Sequence, residues 1–289
     1  DNFKTKKMIR YTFLFLFLFL AGCAKKQNEI LITADELEIA LENNDAKIIS
    51  TQTPAHFDSA HIPGAINIYY KELNNDVPVR GMLKPVSQLV AIFQNHGISR
   101  KTHVVIYDSG DAKYAGRLFW ILSYLGFQDV RMLDGNFPAW NDEMRPVESG
   151  KVNSGKVTLH PKIRPAIKVQ LVELKSKLYN SKTTIVDVRA PDEFDGTSER
   201  SEGHIPGAIN LPHTELLDSF NKLKNPDNLR SKVKQNGIKK ENEIILYCHT
   251  STRAGLVFMI LSAILDYPNV RVYDGAYEEW SQTGNEIEH

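Results

Sequence analysis

The sequence predicts an α/β protein made of two copies of one domain, each a parallel sheet with helices on both faces. Three observations predict it: a long internal repeat, short apolar segments suited to buried strands, and amphipathic segments placed regularly between them. The repeat is seen in "HIPGAIN", which occurs at His61 to Asn67 and again at His204 to Asn210. Further pairs follow in the same order: Gly97-Ile98 with Gly237-Ile238, Val104–Asp108 with Ile244–Cys248, Asp134-Gly135 with Asp274-Gly275, and Trp140 with Trp280. The last three pairs share one offset of 140 residues. That period is far beyond the roughly 20 to 50 residues of a solenoid unit, so the repeated unit is a whole domain.

The strand segments are Val104–Tyr107, Val130–Leu133, Ile185–Val188, Ile244–Tyr247 and Val270–Tyr273. They are apolar with little alternation, as in a sheet covered on both sides. Between them "ADELEIALEN", "PVSQLVAIFQN", "KYAGRLFWILSYLG", "VQLVELKSKLYN" and "RAGLVFMILSAIL" carry apolar residues at helical spacing. Strand, helix, strand in succession calls for right-handed crossovers and a parallel sheet. In such sheets chemistry sits beyond the carboxyl ends of the strands. Cys248 stands at such an end, directly after a strand and before a helix. The stretch Asn141 to Pro165 is rich in Pro, Gly, Ser and Lys and lacks sustained periodicity. It reads as a connection, with the linker proper at 149–165 between a first domain at 30–148 and a second at 166–289.

The N-terminus has a different composition. "KTKKMIR" supplies positive charge, "YTFLFLFLFL" an apolar block, and "LAGC" follows, ending at Cys23. That is the layout of a secretory signal, and the block is about half of the roughly 20 residues needed to span a bilayer as a helix. Leu-Ala-Gly-Cys resembles the bacterial lipobox, in which the signal is cleaved before a cysteine that then carries lipid. The expectation is a signal peptide over 1–22 and lipidation at Cys23. The protein would then be exported and held by lipid on the periplasmic or cell-surface side of a bacterial membrane. The alternatives are an uncleaved anchor or plain secretion.

The 35 basic and 35 acidic residues balance to a formal net charge of zero. With no basic stripe there is no reason to expect a nucleic-acid partner, and any anion must be met locally. Two cysteines are present. If Cys23 carries lipid, Cys248 has no disulfide partner, and its plainest reading is a small buried hydrophobe.

The two copies serve as controls for each other: a residue in both serves the fold, and one found only beside the thiol serves chemistry. His61 and His204 both precede Ile-Pro-Gly-Ala, yet the first copy has Asp108 where the second has Cys248. His204 is therefore read as structural, with a catalytic base as the alternative. The Asp-Gly pairs are read as turns, and the two tryptophans as core. Peculiar to the second copy are Cys248, the loop His249 to Arg253, Asp187-Val188-Arg189, and the expansion "DGTSERSEG" that contributes Arg200. If both copies fold alike, Arg189, Arg200 and Arg253 meet the thiol near the same strand ends as an anion site.

At these residues the chain resembles a known family. "GTSERSEGHIPGAINLP", "YCHTSTRAG" and "VRVYDGAYEEW" are similar to the catalytic half of tandem-domain rhodaneses, the thiosulfate sulfurtransferases. "VVIYDSGDAKYAGRLFWILSYLGFQDVRMLDGNFPAW" is similar to their inactive first half, where an aspartate commonly replaces the cysteine. The resemblance implies two rhodanese-like domains with the site in the cleft between them. It implies a Cys248 persulfide, formed from thiosulfate or a related small sulfur anion and discharged to a thiol or cyanide-like acceptor. No metal or organic cofactor is required.

The loop suits that chemistry. A free cysteine is only about 3% thiolate at pH 7, and the thiolate is the nucleophile. A helix N-terminus and inward N–H groups can lower its pKa by about two units. Thr250, Ser251 and Thr252 add hydroxyl donors and Arg253 a fixed charge, so that His249 to Arg253 form the persulfide-binding loop. The alternative is that the hydroxyls merely cap the helix. Cysteine phosphatases and some arsenate reductases use five residues between Cys and Arg, whereas four stand here, a tighter ring suited to sulfur. Within the family the loop matches neither the Gly-Ser of mercaptopyruvate enzymes nor the Arg-Lys of animal thiosulfate enzymes, and is nearest to bacterial thiosulfate-type loops ending in Arg-Ala. Two departures stand out. Ser251 replaces a glycine, which matters if the position needs positive φ, and Glu193 stands where many tandem enzymes place a substrate-binding arginine. A 3-mercaptopyruvate sulfurtransferase and a persulfide carrier without turnover are the other readings kept.

Overall fold

A computed structural model describes residues 29–152 and 154–289. The signal-like block and Cys23 lie outside the described residues. The first domain runs β1 (Leu31–Ile32), α1 (Ala34–Glu42), β2 (Lys47–Ser50), α2 (Pro54–Ser59), β3 (Ile66–Asn67), β4 (Asn74–Asn75), β5 (Met82–Leu83), α3 (Val86–Asn95), β6 (Val104–Tyr107), α4 (Lys113–Tyr124), β7 (Val130–Leu133) and α5 (Asn136–Asn141). The second runs β8 (Lys168–Val169), α6 (Leu171–Lys177), β9 (Thr183–Asp187), α7 (Pro191–Phe194), β10 (Ile209–Asn210), α8 (Pro226–Gln235), β11 (Glu243–Tyr247), α9 (Thr252–Met259), β12 (Val270–Tyr273) and α10 (Ala276–Gln282).

The large sheets have the orders β1-β7-β6-β2-β3 and β8-β12-β11-β9-β10, which is one topology used twice. All neighbours in both are parallel. Local signals explain the helix starts. Thr33 and Glu36 close a reciprocal capping box on α1, and Asn225 caps α8 ahead of Pro226.

The halves join through α4 and α9, which are apolar nearly all round and buried along most of their length. They cross at two glycines. A Cβ on Gly116 would stand 2.5 Å from the Leu256 main chain, and one on Gly255 would stand 2.6 Å from the Arg117 Cα. One apolar cluster therefore runs through both domains, while separate clusters cover each sheet's other face. The connecting stretch is bound down: Val157, Lys162 and Arg164 donate main-chain bonds to Gln94, Leu125 and Tyr124 of the first domain.

The shared residues act as internal pins. His61 and His204 stack on Phe57 and Phe194, and each ring Nδ1 bonds a main-chain oxygen, of Phe57 (2.8 Å) and Phe194 (3.0 Å). Trp140 and Trp280 are buried, their indole N–H groups held by Pro146 and Glu286. The Asp-Gly turns do more than turn the chain. Asp134 accepts the Leu223 amide of the second domain, and Asp274 accepts the Leu83 amide of the first, each at 3.2 Å. These reciprocal bonds express a pseudo-twofold relation between the halves.

Candidate active site

Register sets the position of the thiol. Asp187 and Tyr247 pair at the ends of β9 and β11, so Cys248 emerges at the carboxyl edge of the sheet. The chain then turns sharply into α9. Ser251 makes the turn at φ +59°, in the left-handed region that disfavours residues other than glycine. Its hydroxyl donates to Tyr273 O (2.6 Å) and Asp274 O (3.1 Å), which ties the loop to the end of β12. The expected serine hydroxyl donor is thus turned away from the thiol, and it does not cap the helix. Thr250 and Thr252 keep their hydroxyls on one side, 3.4 Å apart.

The first copy shows what such a turn binds. Asp108 is fully buried, and its carboxylate accepts the amides of Gly110 (2.7 Å), Ala112 (3.3 Å), Tyr114 (3.0 Å) and Ala115 (3.3 Å). A ring of main-chain N–H groups closes around one anion, as expected of successive inward amides before a helix. In the second copy the amides of His249, Thr250 and Ser251 donate to no acceptor among the described residues. Cys248 stands at the head of that turn, where Asp108 stands in the first copy.

Cys248 is 1% exposed. It belongs to the apolar cluster shared by the two domains, and charged side chains stand beside it. Arg253 lies beside it and forms a two-pronged ion pair with Glu193, at 2.5 and 2.9 Å. Burial alone would lower the Arg253 pKa, but Glu193 and the neighbouring Cys248 raise it above the ordinary range. Burial pushes Glu193 up, and Arg253 outweighs this and holds it down. His249 Nε2 donates to Glu278 (3.0 Å), while its Nδ1 is buried without a hydrogen-bond partner, 4.0 Å from Glu193 Oε1. Burial lowers the His249 pKa against the pull of both carboxylates.

The first domain supplies the lid of this shell. The β4–β5 connection brings Arg80 to Glu278 (2.9 Å) and lays Gly81 on Thr250 so closely that a Cβ there would be 2.7 Å from the Thr250 Cβ. Arg117, buried at the crossing of α4, holds the Asp274 carboxylate at 3.0 Å. The loop is therefore braced from both domains.

The expectation that three arginines meet at the thiol is corrected. Arg189 is fully buried, and all three of its guanidinium nitrogens are used, on Asp187, Ser201 and the Gly203 carbonyl. It stacks over Tyr277 at 4.0 Å and pins the 195–203 expansion to the sheet, so it serves the fold of that expansion. Arg200 lies exposed on that expansion, with no bond from its guanidinium to the cysteine loop among the described residues. Only Arg253 is in place. Three side chains of the shell went unassigned in the sequence: Arg80, Glu278 and the pairing role of Glu193. Matching the copies further would have found them, because Phe220, Pro138 and His56 stand at the corresponding positions of the other copy.

A thiol between strand end and helix start in one of two tandem parallel-sheet domains defines a class: cysteine-centred α/β proteins that handle small anions or sulfur. The comparisons narrow it. The Rhodanese-like domain model matches residues 33–143 and again 170–283, so the chain belongs to the rhodanese family. It is 30% identical to a thiosulfate sulfurtransferase of Azotobacter vinelandii over 87% of this chain and 93% of that one. It is 29% identical to the sulfur carrier protein TtuD of Thermus thermophilus, over 87% of this chain and 93% of that one. The solved structure of the 3-mercaptopyruvate sulfurtransferase SseA from Escherichia coli superposes with a TM-score of 0.78 at 27% identity, covering 85% of this chain and 98% of that one.

Proposed function

We propose that this protein transfers the outer sulfur of thiosulfate to a thiol or cyanide-like acceptor through a persulfide on Cys248. The Cys248 thiolate attacks the sulfane sulfur, the S–S bond of thiosulfate breaks, and sulfite departs with its electron pair. An acceptor nucleophile then takes the outer sulfur and restores the thiolate. The amides of His249, Thr250, Ser251 and Thr252 hold the persulfide anion, while Arg253 and the hydroxyls of Thr250 and Thr252 assist, a task like that of an oxyanion hole.

One observation carries this reading: the matching turn in the first copy closes four amides on an acidic side chain, its own Asp108, and their pull opposes the burial that pushes its pKa up. The test is to incubate the protein with thiosulfate and follow the mass of Cys248 and the release of sulfite. Catalytic sulfite release with an acceptor supports an enzyme. One stable added sulfur without turnover means a carrier. The donor is decided by kcat/KM for thiosulfate against 3-mercaptopyruvate, because Glu193 offsets the charge that Arg253 would offer a dianion. We also propose lipid attachment at Cys23 and an exported, membrane-held protein, tested by detergent partitioning of the wild type against Cys23→Ala.

A further inference from the structure

His249 is the least settled group in the shell. Its Nε2–H bond to Glu278 fixes the neutral tautomer with the lone pair on Nδ1. That lone pair is buried, has no donor, and faces Glu193 Oε1 across 4.0 Å. Two acceptors confront each other with one hydrogen missing between them. Nδ1 thus lies beside the Glu193–Arg253 pair that flanks the thiol, and it is the one ring atom able to accept a proton.

We propose that His249 takes the proton of an incoming thiol when the Cys248 persulfide is discharged, with Glu278 and Arg80 as its positioning residues; this rests on the sulfur-transfer reading above. The acceptor S–H bond breaks and its proton goes to Nδ1. The freed sulfur pair attacks the outer sulfur of Cys248–S–S⁻, and the new persulfide anion leaves. The electrons of the broken S–S bond return to Cys248 as thiolate. The imidazolium, now with a donor on each nitrogen, lies between Glu278 and Glu193 until Nδ1 yields its proton to water. Burial keeps the ring neutral and ready beforehand. Arg80 reaches Glu278 from the first domain, so the silent half orients the base of the working half.

The charged groups facing the ring are Glu278 from α10, Glu193 from α7, Arg80 from the β4–β5 connection and Arg189 after β9. Tyr277 adds a neutral face at 6.0 Å. Removing Glu278 takes away an anion and moves the His249 pKa down, whereas removing Arg80 takes away a cation and moves it up.

The test is single-turnover discharge. Wild type and His249→Gln are loaded with thiosulfate, freed of excess, checked by mass for one added sulfur, then mixed with 2-mercaptoethanol or with sulfite at a pH above the ionisation of bisulfite, where sulfite brings no proton. The ratio of thiol to sulfite discharge should fall by about 100-fold in His249→Gln, the scale of a lost general base. The acid limb of thiol discharge should shift to lower pH in Glu278→Gln and to higher pH in Arg80→Ala, opposite displacements that loosened packing would not give. An unchanged ratio in His249→Gln, or equal loss with both acceptors, overturns the proposal. So do limbs that fail to move, or that move together. Absence of any added sulfur on wild-type Cys248 would instead overturn the sulfur-transfer reading itself.

Discussion

The two halves present nearly the same turn with opposite contents. In the first, three residues separate Asp108 from Ala112, the left-handed residue at φ +61° that starts α4. In the second, two separate Cys248 from Ser251, its counterpart at φ +59°. The second turn is thus one residue shorter. The residue reappears further on, where α9 continues into a π-helical turn at Ile260–Ile264, the usual way a helix absorbs one extra residue. The following strands return to the common offset. The scaffold repeats the turn in both halves, and among the described residues its amides close on an acceptor only in the first. The built-in carboxyl makes that turn a structural knot, whereas the second turn carries a thiol in its place.

The sharpest way to break that comparison is on activity. Cys248→Ser should lower sulfite release more than about 1000-fold, since a hydroxyl cannot form the persulfide, whereas Asp108→Asn should stay within about threefold. Equal losses in turnover assays would mean the halves are not divided as described.

On stability the order reverses. Asp108→Ala strands four amides, two of them buried, and should cost roughly 3 kcal/mol, against about 1 kcal/mol for Cys248→Ala, read from urea midpoints. The glycine crossing should be indifferent to which half is altered. Gly116→Ala and Gly255→Ala each press a methyl into the opposing main chain and should each cost about 2 kcal/mol. A large inequality between them would count against the pseudo-twofold packing.

A smaller effect sits at the cross-domain contact of Asp111 with His213 (3.6 Å) and its local pair with Lys113 (3.0 Å). Burial pushes Asp111 up, but the bonds to His213 and Lys113 outweigh it and hold its pKa at about 2 instead of the ordinary 3.8. A depressed carboxyl stabilises the fold above its unfolded pKa and loses that contribution as pH falls through the folded value. Roughly 1 kcal/mol, discounted because solvent screens this partly exposed pair, should therefore be present at neutral pH and vanish between pH 3.8 and about 2. Asp111→Asn should flatten that part of the stability profile. The smallest change expected is Ser251→Gly, where relief of left-handed strain, about 1 kcal/mol, offsets the loss of the hydroxyl bonds. Its urea midpoint should hardly move.

The repeat and the strand-end position of Cys248 could be read from one dimension because they rest on local spacing and on identical residues at equal separation. So could the roles of His61, His204, Trp140 and Trp280, since residues common to both copies answer to the common scaffold. The need for positive φ at Ser251 was legible as well, but the direction of its hydroxyl was not, because its acceptors lie at Tyr273 and Asp274 on another strand. Arg189 was misplaced for a related reason. A buried guanidinium follows whichever carboxylate and carbonyls surround it, and Asp187, Ser201 and Gly203 meet only when the expansion folds back on β9. Arg80 stands 168 residues before Cys248 and has no local pattern to mark it. What the sequence by itself determined was the doubled α/β scaffold and where along it the thiol must emerge, since hydrophobic periodicity and chain direction act over a few residues. Which charges surround the thiol was decided by the tertiary structure, which brings Glu193 and Glu278 from other elements of the second domain and Arg80 from the first, because a charge acts through distance in space and folding alone sets that distance.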